Sequence, residues 1–438
     1  MIEEKRFPKK VFFGWWTVLA SGIVQVWGWG FHMYGFSVLF KPIASDLGFS
    51  RAVTSVAHSI ARLEGGFEAP IAGWFADRFG PRRVVLLGIS IFSLGLILMN
   101  SIDSLWAFYV VWGVIVGTGA NISFSIPLEK AITNWFVKKR GTALGLRWMF
   151  SGLFVLPLIS WLIITQGWRI TCVIGGVVML FVGLPLTWFF IRDKRPEYYG
   201  LLPDGATVEE ETADTSRMIE RGIEYATEVQ EVEFTLRQAM RTPVYWLLIL
   251  AQTAGYGVAG AVMIIHIIPF LTDMGLDPLK AATVVTILGL FSIASRFITG
   301  FLSDRVRTSH LRFLFGGLIL LKAVGFTIFL LNQTIDMIYP FIIIYNIGEG
   351  ASLTLMSIIR ARYFGRKAFG SIRGSSMLIG MPVSIVAPIY AGWVYDTTGS
   401  YITAFILATA LIVFSVVLLF LARPPKPPAR VTDINKIL

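Results

Sequence analysis

The 438-residue chain has little of what a soluble enzyme uses for chemistry. A single cysteine, Cys172, excludes an intramolecular disulfide and any cysteine-based metal cluster. There is no Gly-x-Ser-x-Gly element, no Gly-x-x-x-x-Gly-Lys phosphate loop and no His-Glu-x-x-His site, so neither catalysis nor a cofactor or metal is expected. Charge is scarce as well. Only 15% of residues are charged against 55% hydrophobic, far too apolar for a water-soluble globule of this length. The net charge of +11 does not point to nucleic acid, because the basic residues are interleaved with long apolar runs and form no continuous patch.

What the chain has in abundance is apolar length. Its 14 Trp, 34 Phe and 42 Gly suit membrane helices, where aromatics anchor at the interfaces and glycine permits close helix contact. A span needs about 20 mostly apolar residues. That criterion predicts helices near 11–40, 51–76, 83–101, 104–129, 140–164 and 168–191, then 243–272, 278–303, 311–332, 335–360, 369–394 and 400–422. The first run follows Lys5, Arg6, Lys9 and Lys10 like a secretory signal, but it is too long for a signal core and reads as an uncleaved span. Clusters such as Arg82–Arg83, Lys138–Arg140, Arg305, Arg307, Arg360, Arg362 and Arg366–Lys367 all fall on one side of this arrangement. The other side holds only Lys41, Arg51, Arg169 and Lys280. The positive-inside rule then expects both termini in the cytoplasm of a multi-pass protein of an inner or plasma membrane. Residues 192–241, with 12 acidic and 7 basic residues, read as a solvated, partly helical linker, Glu209–Glu211 being its most acidic run. The expected organisation is a first half over 1–191, that linker, a second half over 242–422 and a Pro-rich tail over 423–438.

The two halves repeat. A shift of about 227 residues places Pro42 on Pro269, Asp46-Leu-Gly48 on Asp273-Met-Gly275, and Gly73, Asp77 and Arg78 on Gly300, Asp304 and Arg305; a shift of 228 places Trp135-Phe136 on Tyr363-Phe364. A parallel repeat of six helices is the arrangement of halves that rock about a midplane site, which points to transport. Physically, the glycine of each Gly-xxx-Asp-Arg lets helices cross closely, and the aspartate can cap a neighbouring helix or pair with its arginine. The stretch Gly73-Trp-Phe-Ala-Asp-Arg-Phe-Gly-Pro-Arg-Arg83 resembles the signature loop between helices two and three of the major facilitator superfamily. The resemblance implies an all-α fold of twelve transmembrane helices. Phe40-Lys-Pro42, Trp135-Phe-Val-Lys-Lys-Arg-Gly-Thr-Ala-Leu-Gly145, Gly167-Trp-Arg169 and Gly399-Ser-Tyr-Ile-Thr-Ala-Phe405 are similar to the monocarboxylate and oxalate:formate transporter branch.

A charge at mid-bilayer costs about 2.5–3.5 kcal/mol on insertion scales and demands a partner, water or a purpose. Arg296 lies eight residues before Asp304, about 12 Å along the helix. The resembled carriers pair an arginine of this helix with the substrate carboxylate, and a guanidinium offers a bidentate fork for it. The bland alternative is an interhelical ion pair. The chain departs from those carriers in having Ser292 where an aspartate is common, no lysine near Tyr34 and none among Met377–Val386, which favours a monoanion over a dianion. Glu64 and Glu68 share a helical face, with Arg62 turned about 200° from Glu64. Two carboxylates together in a low dielectric favour keeping a proton, whereas bridges to Arg147 or Arg296 are the structural alternative. Asn121 and Glu349 are equivalent under the 228 shift and, by the resemblance, face each other across the cavity with Tyr345 and Asn346 beside them. A buried asparagine is equally interhelical glue. His32 is a candidate relay or a satisfied structural group. Arg147 and Arg373 read as snorkelling, Lys322 as peripheral, and Glu129 as a partner for the Arg78 region.

The reading that follows is a monomeric secondary transporter of a small organic anion, a monocarboxylate, coupled to protons and working by alternating access. Export of larger amphipathic compounds, or sensing without transport, are the competing functions.

Overall fold

The structure, a computed structural model, describes residues 11–49, 51–206, 215–228 and 232–428. Among the described residues there are twelve long helices: α1 (13–46), α2 (Arg51–Phe79), α3 (Pro81–Ser101), α4 (Leu105–Trp135), α5 (140–166), α6 (168–190), α7 (243–273), α8 (Pro278–Ser303), α9 (Leu311–Leu331), α10 (Ile335–Phe364), α11 (Phe369–Thr398) and α12 (Ile402–Leu421). Among the described residues, eight helical stretches are long and apolar enough to cross a membrane. One of them, Leu156–Phe190, holds the end of α5 and all of α6, which Gly167 at φ +80° separates.

Four of the helices are interrupted by π segments: Gly30–Tyr34 in α1, Tyr109–Val116 in α4, Met179–Gly183 in α6 and Thr253–Val258 in α7. Two further breaks were not expected. In α4 the chain leaves the helix at Phe124 and Ser125, and Pro127, which needs no N–H partner, restarts it. In α5 the break falls at Phe150 and Ser151. Carbonyls freed at membrane depth must be answered by protein. Arg147 Nη2 donates to the Phe124 carbonyl at 2.7 Å, and Gln25 Nε2 donates to that of Phe150 at 2.8 Å.

The described ends of the chain, near Val11 and Ala422, and the described part of 192–242 lie at one end of the bundle, called here the linker side. There the halves interlock twice, in the same way. Asp77, at the end of α2, accepts hydrogen bonds from the backbone N–H groups of Gly370 (3.0 Å) and Ser371 (2.7 Å) and from the Ser371 hydroxyl (2.8 Å). Asp304, after α8, accepts from the N–H groups of Gly141 and Thr142 and from the Thr142 hydroxyl, each at 2.7 Å. Each carboxylate thus caps the first turn of a helix in the opposite half, where orphan N–H groups and the helix dipole favour negative charge. Lys130 reaches Asp77 at 3.0 Å and Arg362 reaches Asp304 at 3.6 Å. The glycines permit this approach: a Cβ on Gly73 would lie 2.1 Å from the Gly370 carbonyl oxygen, and one on Gly300 2.3 Å from that of Gly141. Arg78 and Arg305 do not pair with their aspartates. They turn outward, over the Trp74 ring at 5.2 Å and the Phe301 ring at 3.4 Å.

The linker is less solvated than its composition suggests. Asp204, buried and at φ +61°, accepts from the N–H groups of Val137, Lys138 and Lys139 in the α4–α5 loop. Glu197 is buried against Arg366 of the α10–α11 loop at 3.2 Å. The helix Thr215–Glu228 packs on this segment, with Tyr225 donating to Asp204 at 3.3 Å. Glu209–Glu211 lie outside the described residues.

Replacing Asp304 by Asn removes charge-assisted caps worth about 1.5–3 kcal/mol each. The linker side should therefore open more often, by about tenfold or more. Maleimide labelling of a cysteine placed at Ser303, in a Cys172→Ser background, should accelerate by that factor; an unchanged rate would show that the cap does not hold the seal.

Candidate functional site

A cavity of about 280 Å³ lies between the halves. α1 contributes Trp29, His32 and Met33, α2 Arg62 and Gly66, and α4 Asn121 and Ser125; the second half contributes Gln252, Thr253 and Tyr256 of α7 and Ser376, Met377 and Met381 of α11. The π segments of α1 and α7 flank it, and such segments widen a helix locally and recur at functional sites.

Of the residues singled out in the sequence, His32, Arg62 and Asn121 line this cavity. His32 is buried with its ring against Trp112, 6.4 Å between centroids. The Arg62 side chain is exposed to the cavity, and it forms no ion pair among the described residues. Asn121 donates from Nδ2 to Glu68 Oε2 and to the Ala61 carbonyl, both at 3.0 Å. Glu68 also accepts from Thr118 Oγ1 at 2.6 Å, and Glu64 Oε2 is buried beside it against α4 with no hydrogen-bond partner. The two glutamates therefore face α4 behind Asn121; neither bridges to Arg147 or Arg296.

Arg296 stands outside the cavity wall, between α8 and α5. Nη1 donates to the Trp148 carbonyl at 3.0 Å and Nη2 to Ser292 Oγ at 3.4 Å, while Nε has no acceptor. Trp148 stacks edge-on against Trp29, and Arg296 is within electrostatic reach of Tyr256, both of which line the cavity. Glu68 and Arg296 are not paired in this conformation: α2 packs on α11 and α8 packs on α5, at the two separate seams between the halves.

The other candidates sit elsewhere. Glu349 faces its own half, not Asn121: Lys322 Nζ meets it at 2.7 Å and donates to the Gly255 carbonyl at 2.8 Å. Lys322 is fully buried, contrary to the peripheral reading, and lies over the Tyr345 ring at 5.2 Å. Asn346 donates to Ile342 of its own helix, and Tyr34 packs beside Gly152. Arg147 does not snorkel, and Glu129 does not reach Arg78; both are fully buried and 3.8 Å apart, with Arg373 3.6 Å from Glu129.

The α7 wall went unread because hydropathy alone placed that helix. One signal was available: Gly255 and Gly257 lie 227 residues after Gly28 and Gly30, so the glycine pair that widens α1 recurs at Gln252-Thr-Ala-Gly-Tyr-Gly257.

Comparison with known proteins agrees with this architecture. A family profile described as Major Facilitator Superfamily matches residues 18–383. Monocarboxylate transporter 12 of Rattus norvegicus is 24% identical over 404 residues, covering 89% of this chain and 81% of that protein. The oxalate:formate antiporter of Oxalobacter formigenes is 24% identical over 413 residues, covering 92% and 90%. Among solved structures, that of the proton:xylose symporter XylE superposes with a TM-score of 0.68 at 12% identity, covering 93% of this chain and 94% of that one, a likeness of fold.

Breaking a buried ion pair by removing one partner costs about 3–5 kcal/mol, whereas replacing both by apolar residues is often neutral. Lys322→Met should therefore lower the melting temperature of the purified protein sharply, and Lys322→Met with Glu349→Met should recover most of the loss. Additive losses in the double variant would show that the pair is not the source of the stability.

Proposed function

The chain belongs to the Major Facilitator Superfamily, and on that premise we propose that it carries a small organic anion, a monocarboxylate, across the membrane by alternating access together with a proton. Its relatives and its fold are those of multi-pass membrane transporters. The linker side is the cytoplasmic one, as its basic loops require. The halves 1–191 and 242–422 rock about the cavity, the linker 192–241 and the tail 423–438 stay on that side, and one chain is the working unit.

The observation that carries the reading is the guanidinium of Arg62, open to the cavity between the halves and in no ion pair among the described residues. A second guanidinium, Arg296, stands behind Trp148 with its Nε unused. An anion entering from the far side meets Arg62 first. Arg296 supplies the other cation, and to bind the anion bidentately it has to release the Trp148 carbonyl that ties α8 to α5. Binding then loosens one seam between the halves, which is how occupancy promotes the change of access. A cavity of about 280 Å³ is at the small end for ligand sites, which favours a compact acid over a bulky amphipath. The relatives whose names specify monocarboxylates, oxalate and formate support the same substrate class.

The proton goes to Glu68. Asn121 joins this carboxylate to the cavity, so an anion held near Arg62 lies one hydrogen-bonded side chain away from it. Anion and proton binding are then positively linked, so low pH tightens anion binding.

In proteoliposomes, Arg62→Ala and Arg296→Ala should each weaken monocarboxylate transport by about tenfold to a hundredfold, the value of a charge-assisted hydrogen bond. Arg296→Lys should also fall short, because the fork is lost. Folded variants with near-normal half-saturation and flux would reject the anion site. For the proton, Glu68→Gln should abolish substrate-driven alkalinisation of the medium; wild-type proton stoichiometry in that variant would remove Glu68 from the mechanism.

A further inference from the structure

One turn beneath the cavity floor on the linker side lies a cluster that the transport cycle described so far does not use. Glu129 of α4 is fully buried and is the one carboxylate there among the described residues. Arg147 of α5 lies 3.8 Å from its Oε1 and Arg373 of α11 3.6 Å from its Oε2, while Ser357 of α10 donates to it at 2.9 Å. Arg360 of α10, also fully buried, is within electrostatic reach of Arg373 and Glu129, and its Nη2 donates at 2.5 Å to Gln252 Oε1, a cavity wall residue. Three guanidinium groups thus share one carboxylate, leaving an excess of two positive charges in the interior. Their hydrogen bonds are incomplete as well. Nε and Nη1 of Arg147 and Nε and Nη1 of Arg373 are buried without an acceptor.

An uncompensated buried charge with idle donors is costly unless something of opposite sign visits it. Ser376 and Met377 line the cavity one turn above Arg373, and Ser125 and Ile126 one turn above Glu129, so the cluster and the cavity are separated by a single layer of side chains. The cluster also spans both halves: Glu129 and Arg147 belong to the first, and Arg360 and Arg373 to the second. Parting of the halves on the linker side withdraws Glu129 from Arg373 and leaves Arg360 and Arg373 with no carboxylate at all, facing the newly opened path.

We propose that Arg360 and Arg373 form a second anion site beneath the cavity, which receives the carboxylate of the cargo when the linker side opens, and that Glu129 is the internal anion that occupies it while that side is closed. The proposal rests on the reading that the cargo is an organic anion. It assigns Arg62 and Arg296 to binding from the far side and Arg360 and Arg373 to binding and release on the linker side. Glu129 and the cargo then exchange at one pair of guanidinium groups, so the path is never left with the full buried charge.

The test uses pyruvate as the probe anion, with counterflow measured separately from each face of oriented proteoliposomes of the full chain. Arg373→Gln should raise the linker-side half-saturation about tenfold and leave the far-side value within twofold, with Arg373→Lys retaining part of the affinity. A rise shared equally by both faces marks a shift in the closure equilibrium alone and overturns the proposal, as does no change on either face. Should the variant not fold, the wild-type protein crystallised open to the linker side with bromoacetate decides: anomalous density within hydrogen-bond reach of Arg360 or Arg373 supports the site, and density at Arg62 or Arg296 only overturns it. Absence of saturable pyruvate counterflow in the wild type defeats the transport reading itself, in which case the bromoacetate map still judges the anion site. Wild-type counterflow without the asymmetry defeats the second site alone.

Discussion

The first N–H groups of α5 and α11 have no acceptor within their own helices, and in this structure the acceptor comes from the opposite half. Asp77 and Asp304 are those acceptors. Because the two caps are related by the internal repeat, they close the linker side at both seams with the same chemistry, and neither half can satisfy its helix starts alone while the seal is shut. The glycine pairs Gly73–Gly370 and Gly300–Gly141 exist to let those carboxylates arrive, since any Cβ there would meet backbone of the other half. The linker adds a third tie, with Asp204 on the α4–α5 loop and Glu197 on the α10–α11 loop.

From the seal upward, polar groups answer one another between helices, within the first half and across one seam. Arg147 and Gln25 hold the carbonyls released by the breaks in α4 and α5. Arg296 holds that of Trp148 from the other half. A guanidinium bonded to a neutral carbonyl gains by exchanging it for a carboxylate, so on the proposed function the two arginine contacts are ones that the cargo can replace. The Lys322–Glu349 pair is different in kind. It is closed within the second half, with both charges matched, and gives that half a rigid centre against which the cavity wall at Tyr256 rests.

Much of the fold was legible because it is written in local and repeated features. Each span is a run of apolar residues, and the pairs Asp77 and Asp304, Gly73 and Gly300, and Pro42 and Pro269 mark the repeat at one period. The capping of α11 by Asp77 and of α5 by Asp304 was legible only as a possibility, since Asp77 could equally have paired with Arg78; the aromatic rings of Trp74 and Phe301 draw the arginines away. The site was harder. Which side of a helix faces the cavity depends on rotation about its axis, and that is fixed by packing between residues far apart in sequence. Glu349 turned to Lys322, 27 residues away on a neighbouring helix, for that reason. Glu68 turned to Thr118 and Asn121 instead of Arg296. The burial of Glu197 and Asp204 was invisible to composition, because an acidic linker reads as solvated until the N–H groups and the arginine that hold it are placed beside it.

The central claim is that the space between the halves moves a small monoanion. Counterflow of lactate, pyruvate, acetate, formate, oxalate and larger acids in proteoliposomes of the purified protein measures it most directly. The account predicts saturable counterflow of compact monocarboxylates, stronger at acid than at neutral pH, with oxalate carried less well. Flux confined to bulky amphipathic compounds, or binding of these acids without any flux, would contradict it.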